Sequence, residues 1–178
     1  MIAAHMDEVG LMIHTITDDG YLKFANVGGI DRRVLIGKRV LVGEKSIPGV
    51  IGLKAYHLTS AEEEKKVPKL KDFYIDIGAK DADQAREYVS PGDVAVFDSD
   101  IVEFGHGLLK AKAIDDRIGC AVLLKLLQEG PAVDAWFVFT VQEEQGLRGA
   151  AAAAYRIKPD IGITIEGTTA ADLSFIKG

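Results

Sequence analysis

The stretch that decides the fold is residues 117–166, where two helix patterns alternate with two strand patterns. RIGCAVLLKLLQEG at 117–130 is apolar around most of a helix and ends in Gly-Pro, which predicts a buried helix. WFVFTV at 136–141 and DIGITIE at 160–166 are apolar runs typical of fully buried parallel strands, and the helix pattern LRGAAAAAYRI separates them. This order predicts a βαβ unit with right-handed crossovers, and therefore an α/β fold.

Residues 9–105 carry a different pattern of short alternating runs broken by Gly, Asp and Asn. VGLMIHTI and YLKFANV flank the turn Asp18-Asp19-Gly20 and predict a β-hairpin, and four further runs continue the strand pattern. DADQAREYV predicts one short helix with Asp81 as its N-cap. We therefore expect an α/β domain made of residues 1–8 and 106–178, interrupted by an all-β insert at 9–105.

The composition is that of a folded protein without the surface that binds nucleic acid. The 178 residues carry 21 Lys and Arg against 27 Asp and Glu, a net charge of −6, and 48% of them are hydrophobic. Binding to DNA or RNA requires a basic stripe, which this acidic chain lacks. No apolar stretch approaches the ~20 residues of a membrane helix, and one cysteine cannot form an internal disulfide. We expect no nucleic-acid or membrane partner and a cytoplasmic location.

Both ends of the sequence are unusual for a complete protein. Met1-Ile2-Ala3-Ala4-His5 has the pattern of a strand that starts at the first residue, and such a strand needs neighbours. The last residues, from Phe175 to Gly178, follow a strand pattern and a polar segment without a closing element. We expect an internal fragment of a longer protein; the alternative is a small protein that starts at Met1.

Acidic and histidine side chains follow three of the short apolar strands. MIAA leads into His5, WFVFTV is followed by Glu143 and Glu144, and DIGITI leads into Glu166. Because the carboxyl ends of parallel strands lie at one edge of the sheet, we expect these side chains to converge on one site. Histidine and carboxylate groups can bind metals or transfer protons, so the convergence predicts a chemical centre.

His5 and Asp7 lie two residues apart and therefore on the same face of a strand. A carboxylate beside a histidine can hold one ring N–H and leave the other nitrogen to bind a metal. The alternative for this pair is a structural histidine beside a surface aspartate. The acidic residues at the neighbouring strand ends favour the ligand interpretation.

The sequence Asp115-Asp116-Arg117 lies in the loop that opens the long helix. One carboxylate that bridges two divalent metals ~3.5–4 Å apart is a common arrangement in hydrolases, and a second acid and an arginine can orient it. The alternative is a helix N-cap at Asp115 with Arg117 in a surface ion pair.

Glu143 and Glu144 follow a strand predicted to be buried, where carboxylates are costly unless they have a role. Adjacent side chains point in different directions, so one can bind a metal while the other acts as a base. Such a pair does not suit a glycosidase, whose two carboxyls face each other across ~5–9.5 Å. A solvated turn is the alternative for this pair. Glu166 follows the same logic, and Asp172 could support it or cap the next turn.

The remaining candidates are assigned structural or surface roles. His14, His57 and His106 have no accompanying ligand pattern. Cys120 lies inside an apolar helix and is predicted to be an inert buried thiol. Trp136 and Phe137 are predicted to belong to the core.

Seven segments occur in the order and spacing of one protein family, and they span nearly the whole chain. They are AAHMDEVG, VGGIDRRVLIGKRV, DIGA, PGD, KAIDDRIGC, VQEEQGLRGA and IEGTTAAD. Through them the chain resembles the cytosolic di-metal aminopeptidases that include glutamyl, deblocking and tetrahedral aminopeptidases, some of them formerly named endoglucanases. The resemblance implies a phosphorylase/hydrolase-like, parallel-rich sheet flanked by helices, interrupted by a barrel-like β insert that serves for dimerisation.

The resemblance also implies roles for the site residues. Four are implied to be metal ligands: His5, Asp115 and Glu166 for one ion, and Asp115 with Glu144 for the second, Asp115 being the bridge. Glu143 would be the general base, and Asp7 would hold the second ring nitrogen of His5. The implied ions are Zn(II) or Co(II), the implied substrate is a peptide that loses its N-terminal amino acid, and the implied partner is a further copy of the chain.

The sequence departs from the family pattern in two ways. The family often has Asp at the position of Glu166, and Glu offers the same ligand chemistry on a longer arm. The family also has a segment before His5 and a C-terminal part that carries a second histidine ligand of the second metal. We therefore expect one full set of metal ligands, a second site that lacks a histidine, and a fragment with little or no activity.

Two other functions stay open at this level. A non-catalytic oligomerisation module would use the β insert and would not need His5, Asp115 and Glu166 together. A carbohydrate hydrolase follows only from the former naming within the family. A metal requirement would distinguish an aminopeptidase from a carbohydrate hydrolase, because glycosidases with a carboxylate pair generally work without a metal.

Overall fold

The computed structural model describes residues 1–170 and residue 172, which divide into two units. We call Val9–Lys112 the barrel unit, and Met1–Glu8 with Ala113–Gly178 the sheet unit. The predicted all-β segment 9–105 falls within the barrel unit. The predicted chain end from Phe175 to Gly178 lies outside the described residues.

The described residues form eleven strands, three α-helices and three short 3-10 helices, the last at Arg32–Val34, Tyr56–Leu58 and Leu70–Asp72. The strands are β1 Ile2–His5, β2 Gly10–Ile16, β3 Leu22–Val27, β4 Arg39–Val42, β5 Ile47–Gly52, β6 Tyr74–Asp76, β7 Val94–Phe97, β8 Val102–Phe104, β9 Leu108–Lys110, β10 Phe137–Thr140 and β11 Ile163–Thr164. The α-helices are α1 Ala82–Arg86, α2 Ile114–Glu129 and α3 Arg148–Ile157. None of these helices is long and apolar enough to span a bilayer.

The barrel unit is built on a closed antiparallel barrel of six strands in the order β2-β3-β6-β5-β4-β7. β7 pairs with both β2 and β4, and this double pairing closes the ring. Side chains alternate between the interior and the outside, so that Leu11 and Ile13 on β2 and Val40 and Val42 on β4 are buried. The outlying strands β8 and β9 form a separate hairpin.

The predicted hairpin and the predicted helix cap are both confirmed. β2 and β3 pair antiparallel on either side of the Asp18-Asp19-Gly20 turn. Gly20 has φ +82°, and a Cβ there would lie 2.8 Å from the carbonyl oxygen of Asp81, so the turn requires glycine. Asp81 in turn caps α1, because its carboxylate accepts from the N–H of Gln84 at 2.9 Å.

The sheet unit contains the predicted parallel sheet and its helices, which confirms the α/β fold class. The strand order is β10-β1-β11, and both pairings are parallel. α2 covers β1, with Cys120 and Leu123 packed in one cluster with Ala4. The apolar residues of α2 and β1 therefore form a small core between the helix and the sheet.

Four burial predictions in the sheet unit are wrong. α2 buries only one stripe, while Ile118 and Leu124 stay exposed. β10 is half-buried rather than fully buried, and Trp136 before it is 62% exposed rather than in the core. β11 is only two residues long and exposed. The physical reason is that, within the described residues, β10 and β11 are the edges of a three-stranded sheet and nothing packs on the outer face of α2.

Candidate metal centre

His5 lies at the end of β1 with its imidazole buried. Its Nε2 atom lies 3.0 Å from Asp115 Oδ1, 3.3 Å from Glu166 Oε1 and 3.8 Å from Glu143 Oε2. A single ring nitrogen thus faces three carboxylates that come from three separate segments of the chain. The structure brings these predicted site residues together.

The parallel register of the sheet explains this convergence. β1 pairs with β10 so that His5 lies opposite Thr140, and the chain runs from there into Glu143. β1 pairs with β11 so that Ala3 lies opposite Thr164, just before Glu166. Because the three strands run in the same direction, the residues that follow them meet at one edge of the sheet.

Asp115 and Asp116 contact different parts of His5. Both have non-helical backbone angles at the start of α2, and the peptide bond between them is cis. Asp116 is fully buried, and its carboxylate accepts from the backbone N–H of His5 at 3.3 Å and of Gly119 at 3.1 Å. A Cβ on Gly119 would lie 2.4 Å from Asp116 Oδ2, so only glycine leaves room for this carboxylate.

The first turns of α2 also hold the carbonyl groups at the end of β1. Arg117 Nε donates to the carbonyl oxygen of Met6 at 2.6 Å, and Cys120 Sγ donates to that of His5 at 3.1 Å. Burial, followed by the charge of Asp116, raises the pKa of the Cys120 thiol, which keeps its proton for this bond. Within the described residues Arg117 forms no surface ion pair, and Asp115 is not the helix N-cap. These contacts fix the backbone that carries the His5 ring.

Asp7 connects His5 to the turn that carries the two glutamates. His5 Nδ1 lies 3.1 Å from the carbonyl oxygen of Asp7 and 3.4 Å from its Oδ1 atom. The Asp7 carboxylate also accepts from the backbone N–H groups of Glu143 at 3.2 Å and Glu144 at 3.3 Å. The second pair of bonds is not predictable from sequence, because it depends on the register in which Met6 N–H donates to the carbonyl oxygen of Thr140.

A tight turn between β10 and α3 places Glu143 and Glu144. Gln142, just before them, has a positive φ of 58°. Gly149 at the start of α3 donates its N–H to the carbonyl oxygen of Val141 at 3.0 Å. A Cβ on Gly149 would lie 2.2 Å from that oxygen, so glycine permits the close approach of helix and strand.

The pKa values of three side chains in the cluster are raised. Burial, then the charges of Asp115 and Glu143, raise the pKa of the Glu144 carboxyl. Burial and a hydrogen bond with Asp115 raise the pKa of Glu166. Burial alone would lower the pKa of His5, but the hydrogen bond to Asp115 and the surrounding negative charges outweigh it and raise that pKa. The cluster therefore concentrates negative charge that a cation would stabilise.

Two overlapping groups of side chains have the geometry to hold a metal ion. They are His5 with Asp115 and Glu166, and His5 with Glu143 and Glu144; within each group the ligand atoms lie within 4.8 Å of one another. One imidazole nitrogen with carboxylate oxygens is a donor set that suits divalent transition metals. The residues present thus fit a divalent cation by both chemistry and charge.

The other polar candidates lie apart from this cluster. His14, His57 and His106 are exposed, and His14 bonds the hydroxyl of Thr15. Asp172 is exposed and has no hydrogen bond or ion pair with the rest of the described chain. The structure therefore offers no support for Asp172 as a partner of Glu166.

Known proteins resemble the chain along its whole length. A protein of Acetivibrio thermocellus named as an aminopeptidase is 46% identical over 97% of this chain and 51% of its own length. The structure of an aminopeptidase from Desulfurococcus kamchatkensis superposes with a TM-score of 0.90 and 42% identity, covering 99% of this chain and 49% of that one. The Pyrococcus horikoshii TET1 peptidase, which can assemble into a tetrahedron or a large octahedral shell, gives a TM-score of 0.82 and 38% identity over 99% of this chain and 56% of its own.

The chain spans about half the length of the relatives it matches. A sequence profile for M42 glutamyl aminopeptidase matches residues 1–177, which is nearly every residue present. The chain belongs to the M42 glutamyl aminopeptidase family.

Proposed function

We propose that the protein of which this chain is part is a metal-dependent aminopeptidase that removes N-terminal amino acids from peptides. The observation that supports this best is the set of carboxylates around His5 Nε2, with Asp115 at 3.0 Å and Glu166 at 3.3 Å. Family membership supports the reaction class, because relatives that match nearly the whole chain are named as aminopeptidases.

Four side chains would hold the metal ions. We assign His5, Asp115 and Glu166 to one divalent ion and Asp115 with Glu144 to a second, with Zn(II) or Co(II) as the proposed metals. A divalent ion there would act as a Lewis acid that polarises the peptide carbonyl and favours loss of a proton from water. Burial, followed by neighbouring carboxylates, raises the pKa values of Glu144 and Glu166. A divalent cation bound there would favour their charged forms.

Glu143 is the proposed general base. It accepts the proton of the water that attacks the scissile carbonyl and passes that proton to the departing amine. Its carboxylate is partly buried and lies 3.8 Å from His5 Nε2, within reach of the same small volume. Asp7 positions it, because the Asp7 carboxylate bonds the Glu143 N–H and lies beside His5 Nδ1. The Asp7 carboxylate thereby holds both the proposed base, Glu143, and the proposed metal ligand, His5.

The proposal includes a difference between the two metal sites. The three ligands assigned to the first ion form one of the two groups that the structure brings together. For the second ion we assign only Asp115 and Glu144, for which the family uses a further histidine, whereas the second group in the structure is His5 with Glu143 and Glu144. We propose that this 178-residue chain binds one ion well and has little or no peptidase activity.

Assembly and location are also proposals. The barrel unit is the proposed contact between copies of the chain, and the exposed apolar neighbours Met12 and Val94 on adjacent strands support it. The assembly of the P. horikoshii TET1 peptidase provides a precedent. We propose a cytoplasmic location, which the single, buried cysteine supports.

A non-catalytic oligomerisation module is the second candidate function. The observation that favours it is the barrel unit's own closed core, which requires no metal. A carbohydrate hydrolase has no comparable support, because Glu143 and Glu144 are adjacent and do not face each other across a substrate.

A metal titration tests the proposal. Zn(II) and Co(II) are titrated calorimetrically into the metal-free chain, the Asp115→Ala variant and the Asp134→Asn variant, with hydrolysis of aminoacyl p-nitroanilides followed in parallel. We expect one ion per chain in the parent and in the Asp134 control, and affinity lower by about 100-fold or more for Asp115→Ala, because loss of a direct ligand exceeds the usual cost of losing an outer contact.

The outcomes separate the candidates. Saturable binding that Asp115→Ala abolishes, with negligible turnover, supports a truncated aminopeptidase with one complete site. Absence of binding in the parent chain would overturn the catalytic assignment for this chain and leave the oligomerisation module.

A further inference from the structure

A second candidate site lies in the barrel unit, within the segment that links β5 to β6. A cavity of about 600 Å³ opens there, within the usual size range of small-molecule sites. Five lysines and two carboxylates line it, although the whole chain has a net charge of −6. Positive charge is therefore concentrated in one concave region of an acidic protein.

Lys23 on β3 forms a fixed ammonium group in this cavity. Its Nζ atom donates to the carbonyl oxygens of Lys71 and Phe73, both at 3.0 Å, and lies 5.8 Å from the ring centroid of Tyr74. An ammonium group has three N–H donors, so one remains for a further acceptor. Because two bonds already orient it, this donor loses little conformational entropy when it binds a ligand.

Three more lysines of the cavity have uncommitted ammonium groups. Lys66, Lys69 and Lys71 are exposed, and no described residue forms a hydrogen bond or an ion pair with any of their Nζ atoms. Like charges gathered around a concave surface repel one another and raise the local concentration of anions. These three ammonium groups are therefore available to an anionic ligand.

The two carboxylates of the cavity do not neutralise these lysines. Glu63 accepts from Lys54 Nζ at 3.1 Å and from the N–H of Ser60 at 2.8 Å, and these bonds hold its pKa at about 2. Asp72 accepts from the backbone N–H of Lys69 at 2.8 Å. Both acids bond groups of the local loop, so the charges of Lys23, Lys66, Lys69 and Lys71 remain available.

We propose that this cavity binds a compact multivalent oxyanion, with Lys23 as the fixed donor and Lys66, Lys69 and Lys71 closing around it. Organic diphosphates and small polycarboxylates share this chemistry, and both fit the volume. Apolar Leu53, Val67 and Pro68 in the lining would contact the carbon skeleton of such a ligand. This site uses no residue of the metal centre and is independent of the proposed function.

Calorimetric titration of the intact chain with pyrophosphate and with citrate tests the proposal. Metals are first removed on a chelating resin, so that neither anion can bind through an ion. We expect saturable binding of one anion per chain that weakens as NaCl is raised. The variant K66Q/K69Q/K71Q should weaken it by about tenfold or more, the change that follows from loss of ~1.4 kcal/mol.

The control variant K38Q/K45Q/K80Q removes the same three charges from exposed lysines outside the cavity. It should leave the affinity within about twofold, as expected for screened surface charges. Equal weakening in both triple variants, or unsaturable binding, would overturn the site, because either result means that net charge alone attracts the anion.

Lysine acetylation read by mass spectrometry locates the anion. With the anion bound, Lys66, Lys69 and Lys71 should react more slowly, while Lys45 should keep its rate. Unchanged rates at all four lysines would contradict the proposal. Tighter binding of pyrophosphate than of citrate would identify the ligand class as diphosphates, and the reverse order would identify it as polycarboxylates. Failure of both anions to bind would overturn the proposal.

Discussion

The barrel unit and the sheet unit differ in the size of their apolar cores and in the number of their buried polar groups. Within the described residues, fifteen buried apolar side chains form the core of the barrel unit, whereas Ala4, Cys120 and Leu123 form that of the sheet unit. The buried polar groups show the opposite distribution, because His5, Asp116 and Thr140 all belong to the sheet unit. The unit that carries the candidate metal centre therefore has the smaller apolar core to support it.

The largest expected effect tests where the stability resides. Leu22→Ala in the barrel core should lower the free energy of unfolding by about 2–5 kcal/mol, because it leaves a cavity in a closed core. Leu124→Ala on the exposed face of α2 should stay within about 0.5 kcal/mol. Urea unfolding measures both. Equal losses of unfolding free energy would contradict the difference between the two units, since they would mean that the outer face of α2 is covered in solution.

The second prediction concerns the buried carboxylate that positions His5. Asp116→Asn removes one acceptor beside the His5 N–H and should lower the affinity for Co(II) by about 10- to 100-fold, as loss of an outer contact usually does. The visible spectrum of bound Co(II) should change as well, because the His5 ring moves. Asp134→Asn is the exposed control. An unchanged spectrum and affinity in the folded Asp116 variant would limit that residue to a packing role.

A third, smaller effect tests the local capping of the barrel unit. Asp81→Ala removes the carboxylate that accepts from Gln84 N–H and should cost about 1 kcal/mol of stability. Asp83→Ala, two residues later, removes an exposed ion pair with Arg86 and should cost less. Thermal unfolding compares the two variants. A larger loss for Asp83 would contradict the assignment of Asp81 as the cap.

The smallest expected effect is a pH dependence at the surface of the barrel unit. The pKa of Glu63 is lowered to about 2 by the backbone of Ser60 and by Lys54. A lowered pKa gives stability that is present above the unfolded value of ~4.3 and is lost as pH falls toward 2. The advantage of the parent chain over Glu63→Gln in Tm should therefore shrink between about pH 4.5 and 2. A constant difference would exclude this linkage.

Local sequence signals predicted the helices, strands and turns of several segments well. The alternation in VGLMIHTI and YLKFANV, the turn at Gly20 and the Asp81 cap all depend on neighbours along the chain, and each forms as expected. The periodic run in α2 likewise forms a helix. Parallel strand ends predicted that His5, Glu143 and Glu166 would meet, because a shared strand direction suffices for that inference.

Contacts between distant segments were not predictable in the same way. Closure of the barrel depends on β7 pairing with both β2 and β4, and no local pattern encodes two partners for one strand. Burial in β10 and β11 was overestimated because an apolar run shows that a strand can be buried, whereas its cover depends on other segments. The bonds from Asp7 to Glu143 and Glu144 depend on strand register in the same way.

The order of strands and helices, the two compositional regions and the residue types at the strand ends follow from the sequence alone, since they depend on local propensity and side-chain period. The folded structure is needed to see that Asp116 lies fully buried against the His5 N–H while Asp115 reaches the His5 ring. It also decided that lysines from β3 and from the 53–72 segment share one cavity. The reason is that the burial and the charged neighbours of a side chain depend on which distant segments pack around it. Two adjacent residues of the same type, such as Asp115 and Asp116, can therefore have opposite environments.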